Sequence, residues 1–337
     1  MTEKTSFFQS QWKKKILILI LMGKTKNKQL SGAQKRKKKK EKEEAIKEAV
    51  EELERLELGP TKIWTGLVLH HKDVFVSHVL SKLNTTDRFF FSKVNRESLG
   101  VLKYAGVNVP KKWYIHECSS ISTLEWTWNH FSLGKKDTEG NVVDQARFCE
   151  QVALTNKLEF LKWAREVKQC EWDEETINQA AYKGNLEMLK YCFSNDCPCD
   201  EEESCVQAAY QGHLECLRFL FDKVKPSRDT EEEAAMQATG GGHVEILKYF
   251  VEGRKISDAV KQDCMKTAAW YGQLDSLKYL VEEAKAPLND WRYIAWARYY
   301  EHPECVNYLL EKGCPEPTDE QYATVVAFVS RQQNRGD

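Results

Sequence analysis

The side chains of this 337-residue sequence best suited to chemistry are its eleven cysteines and eight histidines, and several of them cluster. Cys192, Cys197, Cys199 and Cys205 fall in one short stretch, which could supply a zinc site. Structural zinc sites pair their thiolates as Cys-x-x-Cys knuckles, and this spacing does not. His213, His243 and His302 are candidate bases or ligands, but each holds the same place in a recurring phrase, as do Glu159, Glu187, Glu215 and Glu245. Recurrence from copy to copy is explained by structure, for the histidines most simply by hydrogen bonds in a turn. Gly23-Lys24-Thr25 follows an apolar run and has the ending of a phosphate-binding loop. The first glycine of that motif would fall at Ile18, and no strand–helix–strand pattern follows. No nucleophile–base pair stands outside the recurring positions, so the sequence predicts no enzyme, cofactor, metal or small-molecule substrate.

The elements that hold these residues are written several times over. Ala-Ala-Tyr-Lys-Gly-Asn-Leu-Glu begins at Ala180, Ala-Ala-Tyr-Gln-Gly-His-Leu-Glu at Ala208, Ala-Thr-Gly-Gly-Gly-His-Val-Glu at Ala238 and Ala-Ala-Trp-Tyr-Gly-Gln-Leu-Asp at Ala268. Their glycines, Gly184, Gly212, Gly242 and Gly272, stand 28, 30 and 30 residues apart. A fixed period of this size means stacked supersecondary units. Weaker copies flank the four, with Asn156 and Glu301 in the glycine place, and Leu124 to Trp128 reads as a still more degenerate first copy. Each unit reads as two short helices. The alanine pair ends the first helix and lets neighbouring backbones approach, and the glycine supplies a left-handed stop. The second helix carries apolar residues at helical spacing, as at Leu186, Met188, Leu189 and Phe193. Asp200 and Asn289 suit N-caps of following units, and Thr318 to Arg331 reads as a closing helix capped by Thr318.

The run Ala208 to Leu220 resembles the ankyrin repeat, and the resemblance covers about two-thirds of the chain, roughly residues 115–333. It implies an all-α solenoid of stacked helical hairpins that binds another protein. The opening Thr-Pro-Leu-His of that family is missing from every copy, so short or irregular hairpin fingers are expected. The resemblance places the two residues before each glycine on the concave face. These are Tyr182-Lys183, Tyr210-Gln211, Gly240-Gly241, Trp270-Tyr271 and Tyr299-Tyr300. Exposed Tyr and Trp make strong interface anchors. Tyr182, Tyr210 and Tyr299 could equally pack on a neighbouring helix, which makes Lys183, Gln211, Tyr271 and Tyr300 the stronger contact candidates.

Charge is segregated. Lys24 to Lys42 holds ten basic residues and one acidic, whereas Glu43 onward holds 36 basic against 49 acidic. An acidic body disfavours nucleic acid on the array, and nothing points to a membrane. Lys35, Arg36, Lys37, Lys38, Lys39 and Lys40 form an unbroken basic hexad, a nuclear-import candidate or a solvated tail. The apolar run Ile16 to Met22 is too short to span a bilayer, lacks a small-residue cleavage site and leaves Met22 as an alternative start. Glu43 to Leu58 is helix-prone and stops at Gly59-Pro60. Residues 1–60 thus read as a charged tail with one helix. Cys216 and Cys305 share a repeat position with Met188, Ile246 and Ser276, as small core residues of a protein in a reducing, intracellular compartment would, cytoplasmic or nuclear.

Between residues 64 and 104 the character changes again. Asp73 to Leu83 reads as an amphipathic helix, Asn84-Thr85-Thr86-Asp87 as a turn and cap, and Phe89 to Ser98 as a second helix. This segment resembles an F-box, with the usual opening Leu-Pro replaced by His70-His71. The resemblance implies that Val74, Phe75, Val79, Leu80 and Leu83 contact the linker subunit of a cullin-type ubiquitin ligase, and that the array holds a substrate. A scaffold whose N-terminal helices only cap the array is the alternative.

Overall fold

The computed structural model describes residues 75–77, 79–94, 96–108, 112–130 and 144–333. Val74, Lys35 to Lys40, Gly23 to Thr25, Ile16 to Met22 and Glu43 to Leu58 lie outside the described residues. The chain divides into two compact units, residues 1–135 and 136–337. Leu124 to Trp128 belong to the first. No helix among the described residues is long and apolar enough to cross a membrane.

In the first unit, a helical turn at 75–77 and a 3-10 turn at Leu80–Lys82 lead into α1 (Thr85–Val94) and α2 (Arg96–Tyr104). A 3-10 turn at Ile115–Glu117 precedes α3 (Ile121–His130). Of the helix expected over Asp73 to Leu83, these two turns are described, His78 between them lying outside the described residues, and the second helix begins at Thr85 instead of Phe89. Asn84 sets that start: its Oδ1 accepts from Asp87 N (2.7 Å). The three consecutive phenylalanines all find cover. Phe91 stacks on Phe75 (5.4 Å between centroids), and Phe90 meets the edge of Trp126 in α3 (5.0 Å). Thr86 N donates to Glu117 Oε2 (2.8 Å) and Ser119 Oγ to Asp87 Oδ1 (2.7 Å), tying the 114–119 segment to the head of α1.

The second unit is a run of six helical hairpins and a closing helix. They are α4 (Gln145–Ala153) with α5 (Leu158–Lys162), α6 (Glu174–Tyr182) with α7 (Leu186–Ser194), and α8 (Glu201–Tyr210) with α9 (Leu214–Val224). Then come α10 (Arg228–Gly240) with α11 (Val244–Lys248), α12 (Asp258–Tyr271) with α13 (Leu274–Lys278), and α14 (Arg292–Tyr299) with α15 (Pro303–Glu311), closed by α16 (Asp319–Gln333). First helices stack in chain order from α4 to α14, and α16 packs on α14. Ala180, Ala181, Ala208, Ala209, Ala268 and Ala269 are fully buried, as close stacking demands. Three second helices widen into π-helical turns, at Trp163–Val167, Tyr249–Arg254 and Tyr279–Glu283.

Caps set the helix starts. Asp200 accepts from Glu202 N and Glu203 N, and Thr318 and Gln321 exchange bonds in a capping box (2.9 and 3.2 Å). Asn289 is not a cap: Asp290 accepts from Arg292 N instead (2.9 Å). The residues sharing the Cys216 position are all buried: Met188, Ile246, Ser276 and Cys305. Burial pushes the Cys216 and Cys305 thiols up to about 11, so neither is a nucleophile near neutral pH.

Candidate binding surface

The joint between units is built on the glycine. Gly184, Gly212, Gly242 and Gly272 take φ of +67, +82, +76 and +70°, the left-handed region that costs a side-chain-bearing residue about 1 kcal/mol. The residue after each glycine returns its N–H to the alanine opening the phrase, as His213 N does to Ala208 O (2.9 Å) and Gln273 N to Ala268 O (2.8 Å). Asn156 and Glu301 adopt the same conformation, both at φ +59°, without being glycine.

The recurring histidines bond across units, not within their own turn. His213 Nε2 donates to Tyr182 O (3.1 Å), His243 Nε2 to Tyr210 O (2.8 Å) and His302 Nε2 to Trp270 O (3.0 Å). Gln273 Nε2 does the same to Gly240 O (2.8 Å), and Asn185 Nδ2 reaches Asn156 O (3.2 Å). With a carbonyl as acceptor, the Nε2 atom carries the proton. The three histidines and Gln273 each lie against the glycine of the unit before: a Cβ at Gly212 would collide with the His243 ring, and one at Gly272 with His302. The glycine is therefore required twice, by its own φ and by its neighbour's side chain.

These bonds hold the preceding residues in register. Tyr182, Tyr210 and Tyr271 are 37, 40 and 50% exposed. Lys183 and Gln211 are half-buried, so in those two pairs the first residue faces out more than the second. Lys183 Nζ lies 5.1 Å from the Tyr182 centroid. Gly240 is buried and Gly241 half-buried, leaving that unit without a side chain in the row. Trp270, Tyr299 and Tyr300 are half-buried in an aromatic group at the last units. Trp270 stacks on Tyr300 (4.8 Å) and packs against Trp296 (4.5 Å), Tyr299 meets the edge of Tyr300 (5.0 Å), and Phe328 of α16 meets the edge of Trp296 (6.0 Å). Burial raises the Tyr300 phenol, with Tyr299 and Tyr271 adding to it, so it stays a hydrogen-bond donor at neutral pH. Trp296 and half-exposed Phe328 escaped the sequence reading. Trp296 stands five residues before the glycine-equivalent Glu301, so alignment on the glycine would have found it.

The first helices add a polar stretch between α6 and α8. Glu175, Asn178, Gln179, Tyr182, Glu203 and Gln207 line a cavity of about 190 Å³. Gln207 Nε2 donates to Glu203 Oε1 (2.5 Å). Burial raises Glu175 above the ordinary carboxylate range, and Asp173 and Glu203 add to it. The same alignment signals this stretch. Nine before the glycine stand Glu175, Glu203, Glu233 and Asp263, and five before it Gln151, Gln179, Gln207 and Gln237.

The F-box-like contact candidates sit elsewhere. Phe75, Val79, Leu80 and Leu83 are at most 3% exposed, inside the first unit's own core with Phe90, Phe91 and Leu102. They hold that unit together and offer no side chain to a partner. Among the described residues, no group of three or more His, Cys, Asp or Glu side chains could hold a metal ion.

A search of curated proteins finds no match for the chain. A family model described as ankyrin repeats, three copies, matches residues 206–290 and again 235–321. Those spans run from within α8 through α15; the glycine joint recurs in the first three of these hairpins, and Glu301 takes its place in the fourth. Ankyrin repeats are interaction modules and generally not enzymes. Residues 206–321 thus match ankyrin repeats, and the second unit that contains them is an all-α stack of helical hairpins.

Proposed function

We propose that the array captures a protein target along the edge of its first helices, with Tyr182, Tyr210 and Tyr271 as anchors and the Trp270–Trp296–Tyr300 group as a terminal contact area. One observation carries this reading: Tyr182 and Tyr210, at the same place in successive units, stand exposed while the next unit's histidine fixes their own carbonyls, and Tyr271 stands exposed beside Trp270, whose carbonyl His302 fixes. Large, rigid, half-exposed aromatics in a fixed row bury much area on binding at small entropic cost. Lys183, Gln211, Tyr299 and Tyr300 join as flanking contacts.

The test is a partner recovered by affinity purification with the intact chain, then rebound in purified form to variants. Tyr182→Ala, Tyr210→Ala and Tyr271→Ala each remove an exposed ring. Each is expected to weaken the complex about tenfold or more, at unchanged melting temperature. Equal affinity for all three and the parent chain would defeat the reading. Trp270 is a poorer probe, because its stacking on Trp296 and Tyr300 ties it to stability as well.

A finer form of the proposal makes the chain a substrate adaptor of a cullin-type ligase, with the F-box-like first unit binding the linker subunit. Two consecutive helices, α1 and α2, ahead of the array favour it. Since Val79 and Leu83 are core residues, an Asp there unfolds the unit; exposed Ser81 and Lys82 are the positions to alter. A pull-down of the purified linker subunit that Lys82→Glu weakens supports the adaptor. No binding to the intact chain leaves the scaffold alternative.

A further inference from the structure

The aromatic row has one ring at each successive unit. Tyr182 and Tyr210 stand two residues before their glycines, and Trp270 does so two units further on. Gly240 has no side chain to give, yet its place is filled. The ring of Tyr271, from the next unit, lies over it: a Cβ at Gly240 would come 3.2 Å from Tyr271 Cδ2 and 3.3 Å from its Cε2. Among the described residues, the hydroxyls of Tyr182, Tyr210 and Tyr271 and the indole N–H of Trp270 donate to nothing. Tyr191, Tyr279 and Tyr308 of the second-helix face each donate to a glutamate instead. A row of carboxylates runs beside the rings. Glu175, Glu203 and Glu233 stand seven residues before Tyr182, Tyr210 and Gly240, on the same helix face and about 10 Å along the axis. They accept from the neutral amides of Asn178, Gln207 and Gln237, which leave the negative charge in place.

We infer that these two rows seat a proline-rich segment of the captured protein in the polyproline II conformation, its prolines on the rings and its basic side chains toward the carboxylates. The inference rests on the protein-capture reading and names the conformation and charge of what is captured. Spacing decides the conformation. Packed neighbouring helices lie about 8–10 Å apart, so the rings recur at that step. Polyproline II returns the same face every third residue, about 9 Å on, and meets one ring per turn. A β-strand returns its face after about 7 Å and falls out of step within two units. An α-helix repeats a face about 10 Å on, but its carbonyls are already bonded within it. The polyproline backbone has no internal hydrogen bonds, so its carbonyls can accept from the tyrosine hydroxyls and the indole N–H. Its preformed shape also lets prolines pack on aromatic rings at small entropic cost. With three positions per turn, one meets the rings and another can carry Arg or Lys toward Glu203 and Glu233.

The probe is a fluorescein-labelled peptide of four Pro-Pro-Arg triplets, titrated with the full chain and followed by fluorescence anisotropy. Saturable binding with a dissociation constant on the order of 100 μM is expected. Four Ala-Ala-Arg triplets keep the charge but favour the α-helix, and four Pro-Pro-Glu triplets keep the conformation with the charge reversed. Each should bind about tenfold more weakly or worse. Tyr210→Ala should weaken the Pro-Pro-Arg peptide about fivefold or more at unchanged melting temperature, and Glu203→Gln combined with Glu233→Gln by a similar factor. Equal binding of either control peptide, no saturation, or undiminished binding to Tyr210→Ala or to the double glutamine variant would each overturn the inference. The peptide comparisons use the unaltered chain, so they decide even if a variant fails to fold. Peptide binding alongside a partner affinity that ignores the exposed tyrosines would sink the capture reading alone. Tyrosine-dependent capture without peptide binding would sink the polyproline reading alone.

Discussion

The two ends of the first-helix edge share a frame and differ in chemistry. Between α6 and α8 the edge is acidic and polar, with Glu175, Asn178, Glu203 and Gln207 around a cavity. From α12 to α16 the corresponding edge carries Trp270, Trp296, Tyr300 and Phe328, packed against one another. The glycine joint and the bond to the previous unit's carbonyl are the same at both ends, as at Gly184 with His213 and Gly272 with His302. A repeat therefore separates two tasks: one set of positions fixes the spacing, and another set, free to vary, decides what is recognised.

Damage to the frame should erase the contrast and so gives the largest effect. Gly212→Ala forces a side chain into the left-handed region and against the His243 ring. It is expected to cost about 3 kcal/mol and to lower the melting temperature of the whole array, measured by circular dichroism. Removing recognition at one end should leave the other intact. Tyr271→Ala is expected to weaken partner binding about tenfold or more and leave the separate loss caused by Tyr182→Ala unchanged.

The polar end should also carry its own pH signature. Burial raises Glu150, Asp173 and Glu175 above the ordinary carboxylate range, so the folded state holds protons that the unfolded chain releases. Their contribution to stability is fully present below the ordinary carboxylate value and is lost as pH rises through the raised one. Melting temperature should therefore climb on mild acidification, and Glu175→Gln should flatten that climb. Glu282 acts in the opposite direction and in a lower window. Lys312 and then Tyr308 bond it and hold it below the ordinary range, so its contribution vanishes only on stronger acidification.

Smaller effects test whether the joints are interchangeable. Glu301→Gly relieves a left-handed glutamate and should stabilise by about 1 kcal/mol in urea unfolding. His243→Gln places an amide where Gln273 already does the same work, and should change stability by less than about 0.5 kcal/mol. His243→Ala forfeits the bond to Tyr210 O and should cost about 1 kcal/mol. If Gln proves as harmful as Ala, the histidine ring supplies more than its donor.

Much of the frame could be read directly from the sequence. The alanine pair and the glycine declare themselves because close approach and a positive φ admit few other residues, and Asp200 and Thr318 announce caps by type and spacing. The donor role of the histidines could not be read so far, because the acceptor lies 31 to 33 residues earlier and pattern alone does not show which carbonyl comes near. Nor does periodicity decide between Tyr182 and Lys183: the pair lies at the end of α6, and the neighbouring unit determines which is covered. The polar edge was present in the recurring Glu and Gln positions, but recurrence alone does not show that the amides bond the carboxylates one turn earlier, as Gln207 does to Glu203 and Gln237 to Glu233. In the first unit, the apolar residues that looked like a docking stripe are the core, since a short chain of helices must bury its own phenylalanines before it can offer any.

The bonds from His213, His243, Gln273 and His302 all point one way, from a later unit to the backbone of the one before. During synthesis, each hairpin leaves the ribosome before the side chain that will satisfy its carbonyl has been made. The growing end is thus always one bond short until its successor emerges, and the chain locks progressively from its first hairpin toward α16. A chain cut after α7, α9, α11 or α13 ends on an open acceptor, whereas one that starts at α8, α10, α12 or α14 begins with an open donor on His213, His243, Gln273 or His302.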